Sequence, residues 1–155
     1  MRIMEKKRGF EIAKGWENKD IHIPVRKTMY SAGYDVEAAE DTIIPKFYEG
    51  IKPTLVPTGL KAYCQKDECF LLLNRSSGPK KGLILANSVG LVDSDYYGNE
   101  SNDGHFMFAF FNCSDHDVLI KKGDAIGQVV FTKYLVVDND NATGTRKGGF
   151  GSTGK

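Results

Sequence analysis

Phe106-Met107-Phe108-Ala109-Phe110-Phe111 is the longest uninterrupted apolar run in the chain. It is apolar at both parities, so neither face of an extended strand here is meant for water. One face must pack on a core, and the other must be covered by a second sheet or a second subunit. Six residues fall far short of a bilayer span.

Outward from this strand the pattern repeats in shorter form. Apolar segments rich in β-branched and aromatic residues are cut at close intervals by glycine or proline, and helical periodicity is nearly missing. Strands are expected at Gly9 to Ala13, Asp35 to Ala38, Thr42 to Ile44, Thr54 to Val56 and Leu60 to Cys64. Others follow at Cys69 to Leu73, Leu83 to Asn87, His105 to Asn112, Asp117 to Ile120 and Ile126 to Leu135. Pro57-Thr58-Gly59, Asn102-Asp103-Gly104 and Lys122-Gly123-Asp124 carry turn chemistry. Only Ser77 to Lys81 suggests a helical turn. This is an all-β chain, a sandwich, jelly roll or barrel.

At 155 residues the chain is long enough for one domain with its own core. Lys and Arg total 21 against 20 Asp and Glu, so no global field exists to hold nucleic acid or an anionic membrane. The charged N-terminus lacks an apolar signal region, and a cytoplasmic location is expected. Cys64, Cys69 and Cys113 form no C-x-x-C pair, which favours reduced thiols. His22, His105 and His116 lack ligand spacing, so any metal would need oxygen ligands.

Beyond about Asp138 the composition turns to Asp, Asn, Gly and Thr, too polar to stay ordered alone. The expected organisation is a β-barrel over residues 1–137 and a flexible glycine-rich arm over 138–155. Gly149 to Lys155 satisfies G-x-x-x-x-G-K, but the P-loop reading fails without the Ser/Thr and helix that complete such a site.

Four further segments carry chemistry. Asn87 to Gly98 ends a strand, turns at glycine, then offers Asp93 and Asp95, which point the same way if the segment is extended. Paired carboxylates can hold a base or share a cation; the plain alternative is a solvated turn. Asp35, within Ala32 to Ala38, is either an exposed-face residue or a buried acid with a partner. Arg75-Ser76-Ser77-Gly78 provides a cation, hydroxyls and backbone amides suited to phosphate. Lys122 to Gln128 is a turn entering a strand.

Taken in order, these segments and the arm resemble the five motifs of the trimeric deoxyuridine triphosphatases (dUTPases). Ala32 to Ala38 matches A-G-x-D-[LV]-x-A, Arg75 to Ser77 matches R-S-[SG], and Gly90 to Gly98 matches G-[VIL]-[VI]-D-x-D-Y-x-G. Lys122 to Gln128 and Arg146 to Gly154 match the fourth and fifth. The resemblance implies a jelly-roll or β-barrel subunit in a homotrimer whose active sites are shared between chains. The implied reaction is hydrolysis of dUTP to dUMP and pyrophosphate, with Mg²⁺ as cofactor.

By the same resemblance Asp93 is the general base, and Asp35 meets Mg²⁺ through water. Arg75, Ser76, Ser77 and Gln128 cradle phosphates. Uracil is selected by the backbone from Asn87 through Gly90, Leu91, Val92 and Asp93 and back through Met107. Tyr96 lies under the deoxyribose, Phe150 stacks on the base, and Arg146, Gly151, Ser152 and Thr153 close over the phosphates.

Two departures stand out. Asn99 to Asp103 adds a polar stretch to the hairpin, making the correspondence at Met107 less secure. Arg146 precedes Phe150 by four residues where many members have five, so Lys147 competes for the γ-phosphate contact. A nucleotide-gated trimer docking a regulatory protein through Asn99 to Asp103 is the alternative from another functional class. The related dCTP deaminases share the fold, but their arginine and glutamate pattern does not surround Asp93.

Overall fold

The computed structural model describes residues 4–149. Within them the chain runs through β1 (Gly9–Ile12), β2 (Tyr34–Glu37), β3 (Thr42–Ile44), β4 (Thr54–Pro57), β5 (Leu60–Tyr63) and β6 (Glu68–Leu73). The short helix α1 (Ser77–Lys80) precedes β7 (Leu83–Leu85), β8 (Gly90–Asp93), β9 (Met107–Asn112), β10 (Val118–Ile120) and β11 (Ala125–Lys133). Each strand expected from sequence is present, with ends moved by no more than about two residues, which is the usual uncertainty of boundaries.

β8 is the element that sequence reading missed. Its glycine start and aspartate-rich continuation look like a turn, yet it pairs with β6 from Leu72↔Gly90 to Cys69↔Asp93. The pairing needs glycine at its first position: a Cβ on Gly90 would lie 2.9 Å from the Leu72 Cβ. The extended run also stops sooner than Asp93 and Asp95 would need to alternate in register. A 3-10 turn spans Ser94–Tyr96 instead.

The strands form four small sheets, in the orders β1-β5, β10-β3, β2-β11-β6-β8 and β4-β9-β7. All the strand pairs within these sheets are antiparallel. β9 supplies the centre of the core through one parity: Phe108 and Phe110 are each 1% exposed, and Phe106 just before them 2%. Each such side chain contributes roughly 1.5–3 kcal/mol by leaving water. Phe70 meets Phe106 edge-on at 5.4 Å, and Phe10 and Phe131 extend the cluster. Phe108 lies against Gly127, where a Cβ would come within 2.2 Å of its ring; the register between β11 and β2 shifts at this same place.

The other parity of β9 meets two surroundings. Met107 and Ala109 wall a cavity, while Phe111 packs edge-on against Phe47 at 5.8 Å. Asn112 ends the strand as a buried polar group with its needs met. Its amide donates to the carbonyls of Ile44 and His116, and its oxygen accepts from Ser114. After Lys133 the described chain has no strand or helix. Among the described residues no helix is long and apolar enough to cross a membrane.

Candidate active site

A cavity of about 580 Å³ opens beside β8 and the start of β9. Asn87, Gly90, Leu91 and Val92 form one wall, and Met107 faces them from β9. Asp93, Tyr96 and Arg146 stand at its rim. The third and fifth sequence segments therefore meet here, and Met107 lines the same cavity despite the longer hairpin. β8 is an edge strand, so alternate N–H and C=O groups along Gly90–Asp93 point away from β6 and the ladder. Such a free edge offers fixed donors and acceptors to a planar ligand.

The two carboxylates share one cation. Arg146 donates from Nη2 to Asp93 Oδ2 at 2.5 Å and from Nε to Asp95 Oδ1 at 2.7 Å. Its Nη1 donates to the Gly148 carbonyl at 3.1 Å, folding the arm onto the rim. The hydrogen bond to Asp95 raises the pKa of Arg146, and the attraction of both carboxylates outweighs the opposing effect of burial. Asp93 stays half in water, its side chain 50% exposed. Lys147, the rival cation, is exposed and does not line the cavity.

Tyr96 is 7% exposed and fixed at both ends. Its hydroxyl donates to the His105 carbonyl at 2.8 Å and accepts from Asn102 Nδ2 at 2.7 Å. Its own carbonyl accepts from Asn99 Nδ2 at 2.7 Å. Burial raises the pKa of the hydroxyl, keeping it a neutral donor. The polar stretch Asn99 to Asp103 is thus an internal brace. Asp103 carries the brace to the β1-β5 sheet, accepting from Lys61 Nζ at 2.8 Å and from the Lys14 N–H at 2.9 Å.

A second cluster gathers the first, second and fourth segments. Asp35 on β2 is the acid with a partner: Arg75 Nε donates to its Oδ1 at 3.1 Å. Gln128 lies opposite Asp35 in the β11-β2 register and donates from Nε2 to the Asn74 carbonyl at 3.1 Å. A Cβ on Gly33 would fall 2.1 Å from Gln128 Oε1, so glycine is what lets that amide lie against the loop. Ser76 caps α1 without using its hydroxyl, and the Ser77 side chain is half-buried beside it. Asn74 was missed by sequence reading. Its Oδ1 is buried with no hydrogen-bond partner among the described groups, next to the loop suited to phosphate.

The two clusters do not meet within one chain. The sheet order β2-β11-β6-β8 puts Asp35 and Asp93 on opposite edges, three inter-strand spacings or roughly 14 Å apart across the strands. Phe150, Gly151, Ser152 and Thr153 lie outside the described residues. Among the described residues no group of three or more His, Cys, Asp or Glu side chains could hold a metal.

Comparison with known proteins converges on one family. The dUTPase family profile matches residues 19–154. The deoxyuridine 5′-triphosphate nucleotidohydrolase of Lactococcus lactis is 49% identical over 150 residues, covering 95% of this chain and 97% of that relative. The crystal structure of the dUTPase from Streptococcus mutans superposes with a TM-score of 0.78 at 41% identity, over 84% of this chain and 99% of that one. A dUTPase of phage phi11 of S. aureus, whose structure details the coordination of a structural Mg(II) ion, shares the fold at 16% identity, with a TM-score of 0.66 over 88% and 97% of the two chains. With five motifs in order, their described residues falling in a cavity and a phosphate-suited cluster, and a match over nearly its whole length, the chain belongs to the dUTPase family.

Proposed function

We propose that the chain hydrolyses dUTP to dUMP and pyrophosphate at sites that draw on more than one copy of it. Hydrolysis of dUTP is the activity of its family and the name its Lactococcus lactis relative carries. The separation of Asp35, Arg75 and Gln128 from Asp93 by the width of a sheet supports the sharing. A closed threefold ring brings the phosphate edge of one subunit to the cavity edge of the next. The fold, and the trimers usual in the family, fit that arrangement.

In this reading uracil enters the cavity and pairs with the free backbone edge of Gly90, Leu91 and Val92, flanked by Asn87 and Met107. A base whose donors and acceptors are reversed, as in cytosine, leaves buried groups unpaired, which rejects it strongly. Thymine is excluded by want of room for its methyl group. The Tyr96 ring lies under the deoxyribose in the space that a 2′-hydroxyl would need. Arg75, Ser76, Ser77 and Gln128 hold the phosphate chain through charge-assisted and backbone-assisted hydrogen bonds.

Asp93 accepts a proton from a water molecule as that water attacks the α-phosphorus in line. The bond from the α-phosphorus to the bridging oxygen breaks, and pyrophosphate leaves with that oxygen. Arg146 leaves Asp93 and Asp95 for the γ-phosphate when the triphosphate arrives, freeing the base as it neutralises the leaving group. Phe150 stacks on the uracil, and Gly151, Ser152 and Thr153 cover the phosphates and exclude water.

Mg²⁺ fits this site only as a partner of the nucleotide. The described chain places one carboxylate, Asp35, in the phosphate-suited cluster, where it is already shared with Arg75, so the ion's other ligands must be phosphate oxygens and water. Bound there, the ion supplies charge neutralisation to the triphosphate. The test is pyrophosphate release with Mg²⁺ from dUTP, dTTP, dCTP and UTP. A rate on dUTP at least about a hundredfold above the others is expected, in line with hydrogen-bond and shape discrimination. Equal rates on all four would overturn the reading.

A further inference from the structure

Tyr96 is held by more than its own strand end. Asn99 and Asn102 of the polar stretch hydrogen-bond to it, and Asp103 and the following Gly104 lie against its neighbours. Asn102 Nδ2 donates to the Tyr96 hydroxyl at 2.7 Å, and Asn99 Nδ2 donates to the Tyr96 carbonyl at 2.7 Å. Asn102 Oδ1 accepts from Asn99 Nδ2 at 2.8 Å and from the Gly104 N–H at 3.1 Å, coupling the two asparagines. Gly104 returns the chain with φ of +91°, and a Cβ there would lie 2.9 Å from the Tyr96 carbonyl oxygen. Asp103 adopts φ of +63°, a left-handed position that side chains other than Asn and Asp resist, while its carboxylate is anchored by Lys61 and Lys14. A loop this committed to one tyrosine is not a plain connection.

We propose that Asn102 is a positioning residue for sugar selection, its amide fixing the Tyr96 ring at the rim of the cavity so that no 2′-hydroxyl can be admitted. The inference rests on the assignment of Tyr96 to the deoxyribose. The hydroxyl of Tyr96 sits between a donor, Asn102, and an acceptor, the His105 carbonyl, which sets the direction of its proton as well as the place of its ring. Without the donor the ring is held by one bond and can tilt away from the sugar. A ribose then costs less to admit, while deoxyribose loses little.

The test compares kcat/KM for dUTP and UTP in the wild type, Asn102→Ala, Asn102→Asp, Tyr96→Phe and the Asn102→Ala/Tyr96→Phe pair. Asn102→Asp keeps an oxygen for Gly104 and Asn99 and so preserves the loop if alanine does not. In the single Asn102 variants the dUTP preference is expected to fall about five- to tenfold, the value of one hydrogen bond, chiefly through a lower KM for UTP. On the Tyr96→Phe background the Asn102 change is expected to add less than about twofold, because the bond is already gone. An unchanged preference in Asn102→Asp, or an effect that persists in full with Tyr96→Phe, overturns the proposal. A wild type that does not prefer dUTP to UTP would instead sink the assignment of Tyr96 on which it stands.

Discussion

Single residues here are set by their partners more than by their place in a motif. His105 is an instance outside the proposed chemistry. It is buried at the foot of the brace, and its Nε2 accepts the Gly59 N–H at 2.9 Å, which requires the neutral ring. Burial pushes its pKa down from 6.5 to about 4. A depressed folded pKa means that the unfolded chain binds the proton first, so this contribution is complete above pH 6.5 and is lost as pH falls towards 4. Urea titrations are expected to show stability falling by up to about 1.4 kcal/mol per pH unit across that window, with the slope reduced in His105→Gln. An identical slope in the variant would place the sensitivity elsewhere. The role of His105 was not legible in sequence, because a lone histidine beside an apolar strand announces neither its burial nor its acceptor. The sequence pattern around Asp93, by contrast, is specific, and the residue lines the cavity. What sequence left open was whether Asp95 shares its surroundings, and the common guanidinium answers that without an extended strand.

At the scale of elements, strand periodicity was readable wherever side chains declare a face, as in β9 and β6, and failed where glycine removes the declaration. β8 begins at Gly90 because Leu72 leaves no room for a side chain opposite, so the residue that hides the strand from sequence reading is the one its packing demands. Gly127 in β11 is a similar case. A methyl group there would press on the Phe108 ring at the centre of the core, with the stacked Phe110 behind it at 6.2 Å. Gly127→Ala is therefore expected to cost about 1–3 kcal/mol by overpacking, read as a lower midpoint in chemical denaturation with the m-value unchanged. Unaltered stability would mean that Phe108 yields at no cost. The second face of β9 shows how a correct constraint can have an unforeseen solution: sequence required a cover, and for Met107 and Ala109 the surface opposite is a cavity wall.

For the whole molecule, the proposed arrangement makes one chain the carrier of two half-sites. The chain also leaves apolar surface uncovered where β11 runs out, with Leu135, Val136 and Val137 exposed by 95%, 66% and 76%. Apolar residues gathered this way on one segment favour contact with another copy. If phosphate and base residues come from different subunits, two inactive variants can repair one another. Arg75→Ala and Asp93→Asn, each expected to be inactive alone, are expected to recover about a quarter of wild-type sites when dissociated together and reassembled, by random pairing around a closed ring. No recovery at all, with mixed trimers confirmed by mass, would return the whole site to a single chain. Sequence could name the members of both halves but not their division, since order along a chain does not disclose which edge of a sheet each will occupy. The clasp of Arg146 across Asp93 and Asp95 bears, finally, on the order of arrival. The resting chain acts as its own counterion, so a stray divalent cation meets two carboxylates that already share one positive charge. In the proposed mechanism metal would gain entry as cargo of the nucleotide, whose phosphates would draw the arginine away.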